Sequence, residues 1–257
     1  MVGINNKQKI RIIARLEINN NYVIKGKYFE GLRKIETPNK LSKKYYLEGI
    51  DEIIFTDAVA SLYDRNSLLN IIKTASREIF VPITVGGGIR NLKDINNALK
   101  AGADKIAINS AAFKNINFLK KAVKEFGSST IVGSVVAHWN KNYWECYIDN
   151  AKHATNVECL SWIKQIQDIG VGEILISSKN TDGIGKGFEL DLIKKICEIT
   201  NIPVIASSGA GNIDHIIQVC NYTGCQAVAL ASILHYNKTN VKIIKNQLSK
   251  KSISIRI

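Results

Sequence analysis

Pro82-Ile83-Thr84-Val85-Gly86-Gly87-Gly88-Ile89-Arg90-Asn91 returns 121 residues later as Pro203-Val204-Ile205-Ala206-Ser207-Ser208-Gly209-Ala210-Gly211-Asn212. In both copies a proline leads into a short apolar run, small residues follow, and an asparagine suited to opening a helix comes last. The same offset joins Gly49-Ile50-Asp51-Glu52-Ile53-Ile54 to Gly170-Val171-Gly172-Glu173-Ile174-Leu175, and an offset of 122 joins Ala107-Ile108-Asn109-Ser110 to Ala229-Leu230-Ala231-Ser232. Three echoes in one order imply a chain built as two similar halves.

Outward from these stretches, eight β-rich runs occur, at residues 11–18, 52–57, 82–87, 105–110, 130–138, 173–178, 203–208 and 227–232. Each precedes a helical candidate such as 92–100 or 157–169, where apolar residues recur three or four apart. A doubly wound sheet usually stops at five or six strands, so eight βα units predict a single (β/α)8 barrel, α/β in class. Its half-barrels are expected at about residues 10–126 and 127–249. Residues 143–148 and 22–25 alternate and are read as small extra hairpins.

A length of 257 residues suits one such domain, and with 46% apolar residues and only three prolines no linker stands out. The first nine residues are polar, and no apolar run reaches the length of a membrane span, so a cytoplasmic location is expected. Five cysteines (Cys146, Cys159, Cys197, Cys220, Cys225) are scattered without zinc-like spacing and are read as free, mostly buried thiols. The four histidines (His138, His153, His215, His235) are dispersed, so no metal site is expected. The net charge of +13 is spread along the chain without interleaved aromatics, which argues against a nucleic-acid surface. Lys250, Lys251 and Arg256 are read as a solvated end.

Gly86, Gly87 and Gly88 end the third run, and Ser207, Ser208 and Gly209 end the seventh. Small residues beside a helix start expose backbone N–H groups and suit an anion. Asn109 and Ser110 stand at the neighbouring strand end in one half, Ala231 and Ser232 in the other. Two phosphate sites facing each other across the barrel mouth follow, for a substrate with phosphate at both ends. Glycines that merely permit tight turns are the competing reading, weakened by the match between the halves.

Further motifs are Lys25-Gly26 followed by Phe29-Glu30 and Leu32-Arg33, Thr84 to Ile89, Asp104-Lys105 with Ile108-Asn109, and Phe126-Gly127-Ser128. Gly172 to Leu175, Asp182-Gly183, and Ile205-Ala206-Ser207 with Gly209-Ala210-Gly211 complete them. On these the chain, from about Lys9 to about His235, resembles the cyclase (synthase) subunit of imidazole glycerol phosphate synthase. The Lys-Gly and Phe-Glu segment separates it from the related half-barrel isomerase of the same pathway.

The resemblance implies a lyase of histidine biosynthesis, without cofactor, in a heterodimer with a glutaminase subunit. Ammonia from that partner enters at the N-terminal face of the barrel and crosses its interior. The charged entrance positions correspond to Arg11, Glu52, Lys105 and Glu173. A stabilising ion-pair cluster is the alternative for these four. Asp57, Ser177 and Asp182 match positions near the substrate, a loop cap being the alternative for Asp182.

The family's acid–base pair is two aspartates, ending the first and fifth strands. Here those positions hold Glu17 and Val136. His138, two residues beyond Val136, shares its side of an extended strand and is the candidate replacement, against a reading as a polar strand-end residue. Two functions therefore compete: the cyclase itself, and a divergent ammonia-conducting barrel serving sugar amidination in surface polysaccharide synthesis.

Overall fold

The first long strand shows how the barrel is built, because its residues alternate between two apolar environments. β1 (Arg11–Asn19) sends Ile12, Ala14, Leu16 and Ile18 outward into the layer beneath the helices. Ile13 points the other way, into the bore, and by the two-residue period of a strand Arg11, Arg15 and Glu17 share that inner face. The computed structural model describes residues 9–58 and 68–256.

After β1 come β2 (Tyr22–Lys27), β3 (Glu30–Lys34), α1 (Pro38–Leu47), β4 (Glu52–Asp57), α2 (Leu68–Ala75), β5 (Ile83–Gly86), α3 (Leu92–Ala101) and β6 (Lys105–Ile108). Then follow α4 (Ser110–Lys114), α5 (Ile116–Phe126), β7 (Ile131–Trp139), β8 (Trp144–Ile148), β9 (His153–Glu158), α6 (Cys159–Ile169) and β10 (Glu173–Ser178). The chain ends with α7 (Leu190–Ile199), β11 (Val204–Ser207), α8 (Ile213–Thr223), β12 (Ala227–Leu230), α9 (Ser232–His235) and α10 (Val241–Lys250).

The strands β1, β4, β5, β6, β7, β10, β11 and β12 pair in parallel, and β12 returns to β1. They are the eight expected runs, closed as a (β/α)8 barrel. Two antiparallel extensions rise from it. β2 and β3 continue from β1, and β8 and β9 from β7, where the alternating segments predict hairpins. The third strands of these extensions, β3 and β9, carry little apolar alternation and are not legible in the sequence. β3 is exposed throughout.

Helix starts follow their side-chain caps. Asn91 accepts a hydrogen bond from the Asp94 N–H at 3.0 Å, and its repeat counterpart Asn212 accepts from the His215 N–H at 3.0 Å. The helix expected from residue 157 begins instead at Cys159. Glu158 ends β9 and caps α6 through the N–H groups of Leu160 (2.9 Å) and Ser161 (2.7 Å).

All five cysteines are free, three of them buried. Lys250, Lys251 and Arg256 are exposed as expected, while Ile253 and Ile255 between them are buried and Ile10 bridges to Ile255. Among the described residues no helix is long and apolar enough to cross a membrane.

Candidate active site

Along the bore the side chains form layers. At the N-terminal end Arg11, Glu52, Lys105 and Glu173 make a closed ring. Arg11 contacts Glu52 at 2.7 Å and also pairs with Glu173. Lys105 Nζ lies 3.4 Å from Glu52 and 3.0 Å from Glu173. Burial alone would lower the Arg11 pKa, but Glu173 and Glu52 outweigh it and hold the guanidinium above its ordinary value.

Above the ring is an apolar collar of Ile13, Ile54, Ala107, Val132, Leu175, Ile205, Ala227 and Ala229. Above the collar the lining turns polar, with Arg15, Thr56, Ser134, Ser177 and Ser207 on their strands. Charge, hydrocarbon and polar mouth thus follow one another along a single axis.

Two of the cavities among the described residues gather the expected site residues at the C-terminal strand ends, apart from one of about 590 Å³ against the β2–β3 hairpin. The larger of these two, about 360 Å³, is lined by Asp57, Gly86, Gly87, Gly88, Asn109 and Ser110, together with Arg15, Arg90, Lys114 and Val136. The smaller, about 20 Å³, is lined by Asp182, Ser207, Ser208, Gly209, Ala231 and Ser232, with Arg15, Glu17 and Lys25. The structure thus gathers the expected phosphate residues into two groups matched by the repeat. A volume of about 20 Å³ holds roughly one water, so a phosphate there requires its loops to part.

Close backbone approach explains the glycines. Gly87, at φ 84°, passes so near Asp57 that a Cβ would overlap the Asp57 carbonyl oxygen, and Gly209, at φ 108°, has the same relation to Gly187. Ser208 stands where the first half has Gly87, and it also takes a positive φ, 77°. Its hydroxyl donates to Asp182 Oδ1 at 3.2 Å.

Lys25 joins the two carboxylates of this side. Its Nζ donates to Glu17 Oε2 at 2.8 Å and to Asp182 Oδ1 at 2.8 Å, with all three side chains buried. Burial by itself would raise the Glu17 pKa, yet Lys25 and then Arg15 pull it below its ordinary value, so the group is a carboxylate. Burial would likewise lower Lys25, and Glu17 and Asp182 reverse this. Asp182 also accepts from the Phe29 N–H at 3.1 Å, and its carbonyl accepts from the Tyr28 N–H at 2.8 Å. It therefore does more than cap its own loop: it pins the β2–β3 turn across the mouth.

Opposite, Val136 is buried in an apolar cluster with Phe29 and Ala151, Tyr147 packing on it. His138 meets Tyr147 edge-on at 5.4 Å and is absent from the lining of both cavities; its Nδ1 is buried without a hydrogen-bond partner among the described residues. His138 lies on β7 within the ladder to β8, opposite Glu145. Arg15 and Lys25 as partners of Glu17 were not anticipated. For Arg15 the signal was available, since it shares strand parity with Arg11 and Glu17.

The histidine biosynthesis protein family model matches residues 11–240. The HisF subunit of imidazole glycerol phosphate synthase from Thermococcus onnurineus is 41% identical over 247 residues, 96% of this chain and 98% of that protein. The HisF subunits of Pyrococcus furiosus and Petrotoga mobilis are each 40% identical, over 247 and 249 residues, with 96% of this chain and 98% of each relative covered. Matching at this level over nearly the whole barrel, the chain belongs to the histidine biosynthesis protein family, in the company of its HisF-type cyclase subunits.

Proposed function

We propose that this chain is a cyclase subunit of the imidazole glycerol phosphate synthase type. It uses ammonia released by a glutaminase subunit, with which it forms a heterodimer. The other substrate is a bisphosphorylated ribulosyl-formimino carboxamide ribotide. The reading is carried by the alignment of the ion-pair ring, the apolar collar and the two glycine-bearing cavities along one bore.

Ammonia enters past Arg11, Glu52, Lys105 and Glu173 and crosses the collar as the neutral molecule, since a bare ammonium ion would pay several kcal/mol to enter hydrocarbon. The partner docks on the same face. Phe80 and Leu47, 76% and 67% exposed at the chain's approach to β5 and β4, offer it apolar surface. At the mouth, Gly87, Gly88, Asn109 and Ser110 receive one phosphate, and Ser208, Gly209, Ala231 and Ser232 the other. Asp57, Gly86, Ser177 and Ser207 line the span between them. Glu17, ionised and held by Lys25, is the proton-transferring carboxylate, and Asp182 positions Lys25.

The test is turnover of the bisphosphate by purified protein with ammonium salt. Saturable activity, lowered about 10²- to 10⁴-fold by Glu17→Gln, is expected. A second reading has one observation in its favour: the apolar packing of Val136 leaves that side of the mouth without a carboxylate. On that reading the barrel conducts ammonia to a sugar-amidinating reaction. Absence of bisphosphate turnover, restored by Val136→Asp, would favour it over the cyclase.

A further inference from the structure

Neither the phosphate loops nor the entrance ring accounts for Arg15. It is the next inward residue of β1 after the collar's Ile13, it is 6% exposed, and it lines both cavities. It therefore stands in the polar layer directly above the collar. Nη1 donates to Ser177 Oγ at 2.6 Å and to Ser207 Oγ at 3.2 Å, while Nη2 lies 3.4 Å from Glu17 Oε1. Nε is buried and has no hydrogen-bond partner among the described residues.

A guanidinium has five N–H donors, and burying it costs several kcal/mol unless it is well paired. Here its neighbours are two neutral hydroxyls and one carboxylate, which it shares with Lys25. A purely structural arginine would be better saturated. Arg15 lines both cavities, so its side chain lies between the two groups of residues expected to hold phosphate.

We propose that Arg15 binds the oxygen of the carbonyl group that ammonia attacks and stabilises the charge that develops on it. The proposal rests on the reading of this barrel as an ammonia-using cyclase. The nitrogen lone pair forms the new C–N bond, and the C=O π pair moves onto oxygen, where the Arg15 N–H groups hold it. Glu17 takes one proton from the attached nitrogen and delivers it to that oxygen, leaving a neutral carbinolamine and a restored carboxylate. Arg15 transfers no proton, because a guanidinium stays charged in proteins; it acts as a buried, fixed cation. A wall built from Val136 is then compatible with the chemistry. The charge that a second acid would quench by protonation is held electrostatically instead.

The test combines kinetics with binding. In ammonium-driven turnover, Arg15→Met is expected to lower kcat about 10²- to 10³-fold, with KM for the bisphosphate changed less than about threefold, and Arg15→Lys to recover part of the loss. Melting curves establish that each variant is folded. A rise in KM with kcat unchanged would overturn the proposal.

Binding of a ketose bisphosphate and of its counterpart lacking the carbonyl oxygen is measured separately by calorimetry. The unmodified protein should favour the ketose at least about tenfold, and Arg15→Lys and Arg15→Met should diminish that preference. Equal binding of the two by the unmodified protein overturns the proposal even if no variant folds. An Arg15-dependent preference without turnover of the ribotide supports Arg15 and removes the cyclase reading, so the two failures are separable.

Discussion

Lys25 Nζ lies 2.8 Å from Glu17 Oε2, inside the barrel mouth and away from water. The ammonium group reaches in from β2, beside the strand that carries the carboxylate, and Asp182 holds it from the loop after β10. A hairpin neighbour thus holds the glutamate ionised, and a carboxylate 157 residues further along the chain holds that neighbour in place.

Lys25→Met should destabilise the fold by about 3–5 kcal/mol, because it leaves two buried carboxylates without their shared cation. Urea denaturation at neutral pH measures this. In the unmodified protein the Glu17 pKa is depressed, so its stabilising contribution is present above the unfolded-state value and is lost as pH falls through the folded-state value. The acid limb of activity should accordingly lie below the ordinary carboxylate range and move upward in Lys25→Met.

His235 sets a second acid response. Its Nδ1 is paired with the Tyr45 hydroxyl at 2.8 Å and its Nε2 with the Arg15 carbonyl at 3.1 Å. Burial lowers its pKa to about 4, so the folded protein keeps it neutral where the unfolded chain protonates it. Stability should therefore fall as pH drops below about 6.5 and level off near 4, a loss of roughly 3 kcal/mol. Denaturation at pH 7 and pH 4.5 reads the difference, and His235→Phe should flatten the slope while lowering stability at both.

The entrance ring offers a test of coupling. Lys105→Met leaves Glu52 and Glu173 with Arg11 alone. Glutamine-driven turnover in the presence of the glutaminase subunit should fall more than ammonium-driven turnover. Equal loss in both assays would make the ring a structural cluster only.

Gly87→Ala and Gly209→Ala place a methyl group against the carbonyl oxygens of Asp57 and Gly187, at positive φ. Each should cost more than about 1 kcal/mol and weaken inorganic phosphate binding. Titration calorimetry should show the loss at Gly87 clearly, since its cavity already stands open at about 360 Å³.

The barrel and its two anion-suited loops were legible because they rest on local and repeating features. Proline, apolar run, small residues and asparagine recur at a fixed offset, and each demands the same strand, turn and capped helix wherever it occurs. β3 and β9 were not legible, because they are held by pairing with a neighbour and show no apolar alternation of their own. Strand parity puts His138 on the side of Val136, but which side chains line the cavities is decided by the packing of β7 against β8, and His138 is not among them.

The sequence by itself determined the eight barrel strands and their order, the echoes between the two halves of the chain, the identity of the ring residues and the exchange that put Glu17 and Val136 at the mouth. The first two follow from periodicity and from backbone demands on small residues; the ring residues and the exchange at the mouth follow from the resemblance to the cyclase family. Only the tertiary structure decided that Lys25 and Arg15 keep Glu17 ionised, that Phe29 and Ala151 pack on Val136, and that one of the two cavities at the mouth is open while the other is nearly closed. Those outcomes depend on burial and on side chains of neighbouring and remote strands meeting within a few ångströms, and closure of the barrel is the step that buries them together.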